Sequence, residues 1–229
     1  MKKKIIKYSI LIALLCALVV GVYFAFFTVD SKTLAKNNVS EMGEHVFTAK
    51  EDCTSIKLYS GMRENPYSLN GVHEEMQNFA LIIFRTDELN VESPTFIATI
   101  DGTSYNGILE QNPYDNTFVA DLETSISQNS IVEICVTVKD SQYNYNLVNV
   151  NKDWAYTFND ALEIGLNELL NDIEMLISGK TLACELYVKA INDSVGTFDT
   201  FFYHVSYIDT NGNAKGVVID VQTGQVIKE

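Results

Sequence analysis

The N-terminus constrains this chain more than any other part of it. Lys2, Lys3, Lys4 and Lys7 are followed by a run from Tyr8 to Val29 that holds no acid or base apart from tyrosine and Cys16. A helix crossing a bilayer needs about 20 predominantly apolar residues, and in lipid only a helix satisfies the backbone of such a single run. Tyr23, Phe24, Phe26 and Phe27 gather at its far end, as in an interfacial belt. The lysines that precede the run place the N-terminus in the cytoplasm and everything after it outside, by the positive-inside rule. A cleaved signal peptide is the competing reading. It calls for an apolar stretch of about 7–15 residues and a small-x-small site, and neither is met. A lipid on Cys16 is disfavoured by Leu14 and Leu15 before it. The expectation is a single-pass signal-anchor over residues 1–29 and an extracellular, cell-envelope remainder.

The rest of the chain is strongly acidic. It carries twelve basic and thirty acidic residues, a net charge of −18. That field repels nucleic acid, so no nucleic-acid partner is expected. Cys53, Cys135 and Cys184 lie beyond the run with no close C-x-x-C spacing. They form neither a disulfide scaffold nor a zinc knot, and buried free thiols are favoured over a single Cys53–Cys135 bridge.

Residues 30–52 are polar and weakly patterned and read as a juxtamembrane tether. Residues 53–150 then read as seven short strands: Ser55–Tyr59, Phe79–Arg85, Thr95–Ile100, Thr103–Leu109, Thr117–Leu122, Ile131–Val138 and Tyr143–Val150. Asp101-Gly102 is a strong hairpin signal, because a type I′ turn needs positive φ at both central positions. Residues 60–78 read as a long polar connection. The strand count and turn rhythm predict an antiparallel β-sandwich. It resembles an immunoglobulin-like domain in size and spacing, without the Cys…Trp…Cys hallmark.

Over residues 151–229 the period changes. Phe158, Ala161, Leu162, Leu166, Leu169 and Ile173 recur at helical spacing, with Thr157 or Asn159 as cap and Gly179 as terminator. Strands are expected at Leu182–Ile191, Thr200–Asp209, Ala214–Val221 and Gln225–Lys228, with turns at Asn211-Gly212 and Thr223-Gly224. A long helix packed on an antiparallel meander is an α+β plan. The tail, through Tyr203, Gly212, Asp220, Thr223, Gly224 and Val226, resembles PepSY-type repeats; cystatin-like and NTF2-like folds share the helix-then-sheet order. The PepSY resemblance implies an extracytoplasmic regulatory or binding module, often associated with proteases, with no catalytic residue carried over.

No catalytic, cofactor-binding or metal-binding residue set is assigned from the sequence, and no cofactor is expected. His45 falls in the tether, His73 in a loop and His204 in a strand, each read as structural. A Cys184–His204 nucleophile pair has nothing around it to recommend it. Asp209, Asn211 and Asn213 begin like a calcium loop, but the pattern fails at Ala214 and Asp220, and a polar turn explains them. Glu74-Glu75 are adjacent and point apart on an extended chain. Tyr143, Tyr145 and Tyr156 read as packing between the two units. The functional expectation is a non-catalytic, membrane-anchored, uncharacterized envelope protein that binds a protein or peptide partner, with a regulatory role. The alternatives are a hydrolase with a site at the 150–158 junction, or a structural subunit of an envelope complex.

Overall fold

The computed structural model describes residues 30–51, 53–87, 92–115, 117–192 and 200–227. The described chain opens with helix α1 (Ser31–Lys36), where the Asp30 carboxyl accepts the Thr33 N–H at 3.0 Å. Two long strands follow, β1 (Val39–Glu51) and β2 (Thr54–Glu64), then β3 (Met76–Thr86). The next run is β4 (Thr95–Ile100), β5 (Thr103–Ile108), β6 (Glu110–Gln111), β7 (Thr117–Leu122), β8 (Val132–Val138) and β9 (Ser141–Asn149). A 3₁₀ turn at Asn151–Asp153 leads to helix α2 (Phe158–Met175). A small ladder, β10 (Ile177–Ser178) with β11 (Thr181–Leu182), precedes β12 (Cys184–Asn192), β13 (Phe201–Asp209), β14 (Ala214–Asp220) and β15 (Val226–Ile227).

Thirteen of these strands form one connected sheet, and β1 is its branch point. The first part of β1 runs parallel to β12, with Val39 opposite Leu186 and Met42 opposite Val188. Its later part runs antiparallel to β9, with Phe47 opposite Asn149. β2 pairs with β1 along nearly its whole length. In one direction the sheet continues β12-β13-β14-β15. In the other it curls through β2-β3-β7-β6 on one side and β9-β8-β4-β5 on the other. β5 pairs with β4, β6 pairs with β7, and only Leu109 separates them. The curl is therefore a nearly closed barrel.

Each half has its own core. The barrel is filled by Ile56, Leu58, Ile82, Phe84, Ile134 and Val136. In β8 the alternate residues Val132, Ile134, Val136 and Val138 are buried and Glu133 is exposed, the period-2 pattern of a strand with one wet face. The second core lies where α2 presents Leu162, Leu166, Leu169 and Ile173 to Leu186, Val188, Tyr203 and Val205. Thr157 caps α2: its hydroxyl accepts the Asp160 N–H at 3.2 Å, and Asp160 accepts the Thr157 N–H at 2.8 Å. Gly165 has no Cβ to strike the Val205 side chain, so the helix sits close on β13.

Several expectations are corrected. The architecture is not a β-sandwich followed by a separate α+β unit. It is one mostly antiparallel sheet, part of it curled into a barrel, because β1 pairs on both sides and the bent β5–β6 segment joins two layers. The tether expected at 30–52 contains α1 and β1 instead. Alternation is hidden in β1 by Glu41, Glu44 and His45 and by a register slip between Gly43 and His45. Gly179 (φ 66°) turns the β10–β11 ladder rather than ending α2, which ends at Met175 with Leu176 as cap. The single-pass membrane placement, with its transmembrane, signal-anchor and extracellular reading, is also corrected on the described residues. No helix among them is long and apolar enough to cross a membrane. α2 has the length, but it carries Asp160, Glu163, Glu168, Asp172 and Glu174. The run Tyr8–Val29 itself lies outside the described residues, and no membrane location is assigned.

Candidate functional site

The two halves meet at a seam on β1 and β2, and the seam begins with two glycines. Gly43 pairs with Gly61 at the register slip. A Cβ on Gly43 would strike the Phe158 ring and the Tyr59 hydroxyl, and one on Gly61 would strike the Met42 carbonyl. Without side chains at these points, Phe158, the first residue of α2, seats directly over the strand. Asn151 then satisfies the opened backbone: its Oδ1 accepts the Val46 N–H and its Nδ2 donates to the Glu44 carbonyl, both at 2.9 Å. Trp154 lies against Phe201 and Tyr203, with ring centroids 5.3 Å and 5.4 Å away.

Two neighbouring depressions straddle this seam and share Met42, Glu44 and Asn159. The first, of about 370 Å³, has an apolar floor of Val39, Met42, Met62, Met76 and Leu162. Met42 and Met62 are direct cross-strand partners, and Met76 lies diagonally beyond Met62. Its rim carries Glu44, Asp160, Glu163 and Lys36, and Lys36 is paired with Glu163. The two bonds with Thr157 hold the Asp160 carboxyl below the usual carboxylate range, so this rim acid is charged at neutral pH. The second depression, of about 440 Å³, runs over Trp154, Phe158 and His45 to Gln128 and Lys152. His45 Nδ1 is buried and has no hydrogen-bond partner among the described residues. Burial pushes this imidazole below its usual pKa, with Glu44 acting against the shift, and the neutral ring is favoured. Unbranched, polarizable methionines beside aromatic rings form a surface that adapts to apolar side chains of varied shape.

A second polar constellation lies close by, around the N-terminal end of β1. Glu64 and Glu185 are fully buried, as is Ser40. Their carboxyl groups hold the strap formed by residues 65–75. Glu185 accepts the N–H groups of Asn70 at 3.1 Å and Gly71 at 3.0 Å, and the Tyr187 and Ser40 hydroxyls. Glu64 accepts the N–H of Ser68 at 3.2 Å and of Glu74 at 3.3 Å. Burial raises the Glu64 carboxyl above its usual range; the Ser68 N–H opposes the shift and nearby Glu185 adds to it. Lys189 contacts Glu41 at 3.0 Å and the Tyr67 hydroxyl at 2.6 Å. Ser40 Oγ lies 3.3 Å from His73 Nδ1, a nucleophile-and-base spacing. However, Ser40 is 0% exposed and bonds to Glu185 at 3.0 Å, which leaves no approach for a substrate carbonyl. These glutamates anchor the strap.

The residues singled out in the sequence are scattered. Cys184 pairs with Asp209 and His204 with Lys189, toward opposite ends of the β12–β13 ladder. Cys184 is buried, and burial lifts its thiol to about 12, so it is protonated at neutral pH. Cys53, Cys135 and Cys184 are free. Asp209 uses its carboxyl on its own turn, accepting from the Asn211 N–H, the Asn213 N–H and the Asn213 side chain at 2.8–2.9 Å. Among the described residues no group of three or more His, Cys, Asp or Glu is placed to hold a metal ion. Tyr143 and Tyr145 pack with Phe84 of the barrel, whereas Tyr156 lies by Gly224. The junction near 150–158 does line the second depression, through Asn151, Lys152, Trp154, Thr157 and Phe158. Its methionine-floored neighbour was hidden in the sequence, because Met42 falls in the expected tether and Met62 and Met76 in the expected polar connection. Comparison with known proteins brings no match: no family model, no curated protein and no solved structure is significantly similar to the chain.

Proposed function

We propose that this chain is a non-catalytic binding protein whose seam groove receives a segment of another polypeptide. The observation that carries this reading is the pair of adjoining depressions across Gly43 and Gly61. They are floored by three methionines on one side and by Trp154 and Phe158 on the other. A groove with an apolar floor and a polar rim is a usual form of peptide-recognition surface. The orphaned His45 Nδ1 gives the floor one polar group with no partner of its own among the described residues.

Selection from a library of random peptides tests this. Sequences enriched on the parent chain should bind residues 30–229 with micromolar affinity. They should lose it, by about tenfold or more, on Met42→Lys or Met76→Lys, because a charge then sits on the apolar floor. Circular dichroism of each variant checks that the sheet is intact. Enriched peptides that bind both folded lysine variants as well as the parent would place recognition elsewhere and end the proposal.

A further inference from the structure

The groove reading leaves the class of partner open, and the charge around the methionine floor narrows it. Four charged side chains line the first depression: Glu44, Asp160, Glu163 and Lys36. Lys36 is already bound to Glu163, which leaves an acidic rim. Glu44 is exposed, and Asp160 is held charged by its bonds to Thr157. Beyond the rim, the chain after residue 29 has a net charge of −18, so the field at the groove mouth attracts cations from a distance. The floor offers no ion pair of its own; it is built from Val39, Met42, Met62, Met76 and Leu162. A ligand that fits must therefore combine two features: an apolar side chain to fill the pocket, and positive charge beside it to meet Glu44 and Asp160.

We infer that the partner is a basic polypeptide segment carrying a single long apolar anchor, leucine, methionine or phenylalanine, flanked by lysine or arginine. This rests on the groove being a peptide site. The anchor enters over the methionines, and the flanking cations lie at the rim, where Glu163 can exchange its bond to Lys36 for one to the ligand. An acidic or purely polar segment meets like charge or leaves the floor wet. The rim sets the rate and salt dependence of association, and the anchor sets how long the complex lasts.

The probes are synthetic peptides of about twelve residues on a Gly/Ser background. One carries a central Leu flanked by four lysines, one the same Leu flanked by four glutamates, one the four lysines with Ala for Leu. Titration against the full chain by calorimetry or fluorescence anisotropy is the measurement. The Lys–Leu–Lys peptide should bind at least tenfold more tightly than either of the others. Its affinity should fall as salt rises from about 50 mM to about 500 mM. Glu44→Lys should weaken it severalfold and Met42→Lys at least tenfold, with the fold retained by circular dichroism. If the glutamate peptide binds better and still depends on Met42, the partner class is wrong and the groove stands. If the lysine peptides bind equally with Leu or Ala and ignore Met42→Lys, attraction is only through net charge and both readings fail. If none of the three binds the parent chain while library-selected peptides do, the basic-anchor inference is overturned and the groove survives.

Discussion

The barrel half and the helix-backed half solve the same problem, burying one sheet face, by different means. The barrel closes on itself through backbone pairing, with β5 and β6 bonding to strands of opposite layers. Its strands bury Thr54, Lys57 and Thr117 as well as an aliphatic and aromatic core. The helix-backed half closes with side chains from α2, and the strap beside its central strands is held by buried polar groups: Ser40, Glu64 and Glu185. Both closures bury polar groups: hydroxyls, Lys57 and Asn149 in the barrel, and carboxyls on the helix-backed side, where Glu64 and Glu185 hold the strap. The difference teaches why the seam, where the two closures meet, carries two adjoining depressions.

Cutting into each half tests this contrast. The largest expected effect is from Leu166→Ala, which empties part of the α2 interface and should cost about 2–5 kcal/mol in chemical denaturation. Ile134→Ala in the barrel should cost a similar amount, and because β1 belongs to both cores each substitution should destabilise both halves. Glu185→Leu should cost about 1–3 kcal/mol, since the Asn70 and Gly71 N–H groups lose their acceptor. It should also open residues 65–75 to limited proteolysis while leaving barrel amides protected. Thr157→Ala should cost about 1 kcal/mol through the lost cap of α2 and leave the strap untouched.

Two smaller effects depend on pH. Lys57 is buried on β2, where burial lowers its amine to about 8 against the pull of Asp115. A base with a lowered folded pKa contributes stability above its usual value, near 10.5, and loses it as pH falls to about 8. Lys57→Met should therefore gain on the parent over that window and hold a constant lead below it. Glu64 has the opposite sign. Its raised carboxyl contributes stability that is full below the usual glutamate range and is lost as pH rises through the raised value. Stability by chemical denaturation should fall across that rise in the parent, and the pH dependence should flatten in Glu64→Gln.

Local chemistry made part of this legible. Asp101 and Gly102 both have positive φ, 49° and 82°, as a type I′ hairpin demands. Thr157, one of the two caps the sequence offered, is the cap of α2, and β8 alternates as its residues imply. What stayed hidden was tertiary. Val39–Glu51 reads as polar because Ser40 and Glu41 are buried charged or polar positions satisfied only by residues far along the chain. Glu64 reads as loop because its partners, the Ser68 and Glu74 N–H groups, lie in the turn-rich strap that follows it. No local pattern reveals that β1 will pair in parallel with β12, nearly 150 residues later, and so the groove built on that branch was unreadable.

Native-state hydrogen exchange on the Gly61→Ala variant tests the central claim, that one sheet joins the two halves through the Gly43–Gly61 seam. A methyl there meets the Met42 carbonyl. The account predicts that amides in β8 and β9 and amides in β12 and β13 lose protection together and by the same amount. Loss confined to one half, with the other exchanging as in the parent, would show two independent units and contradict it.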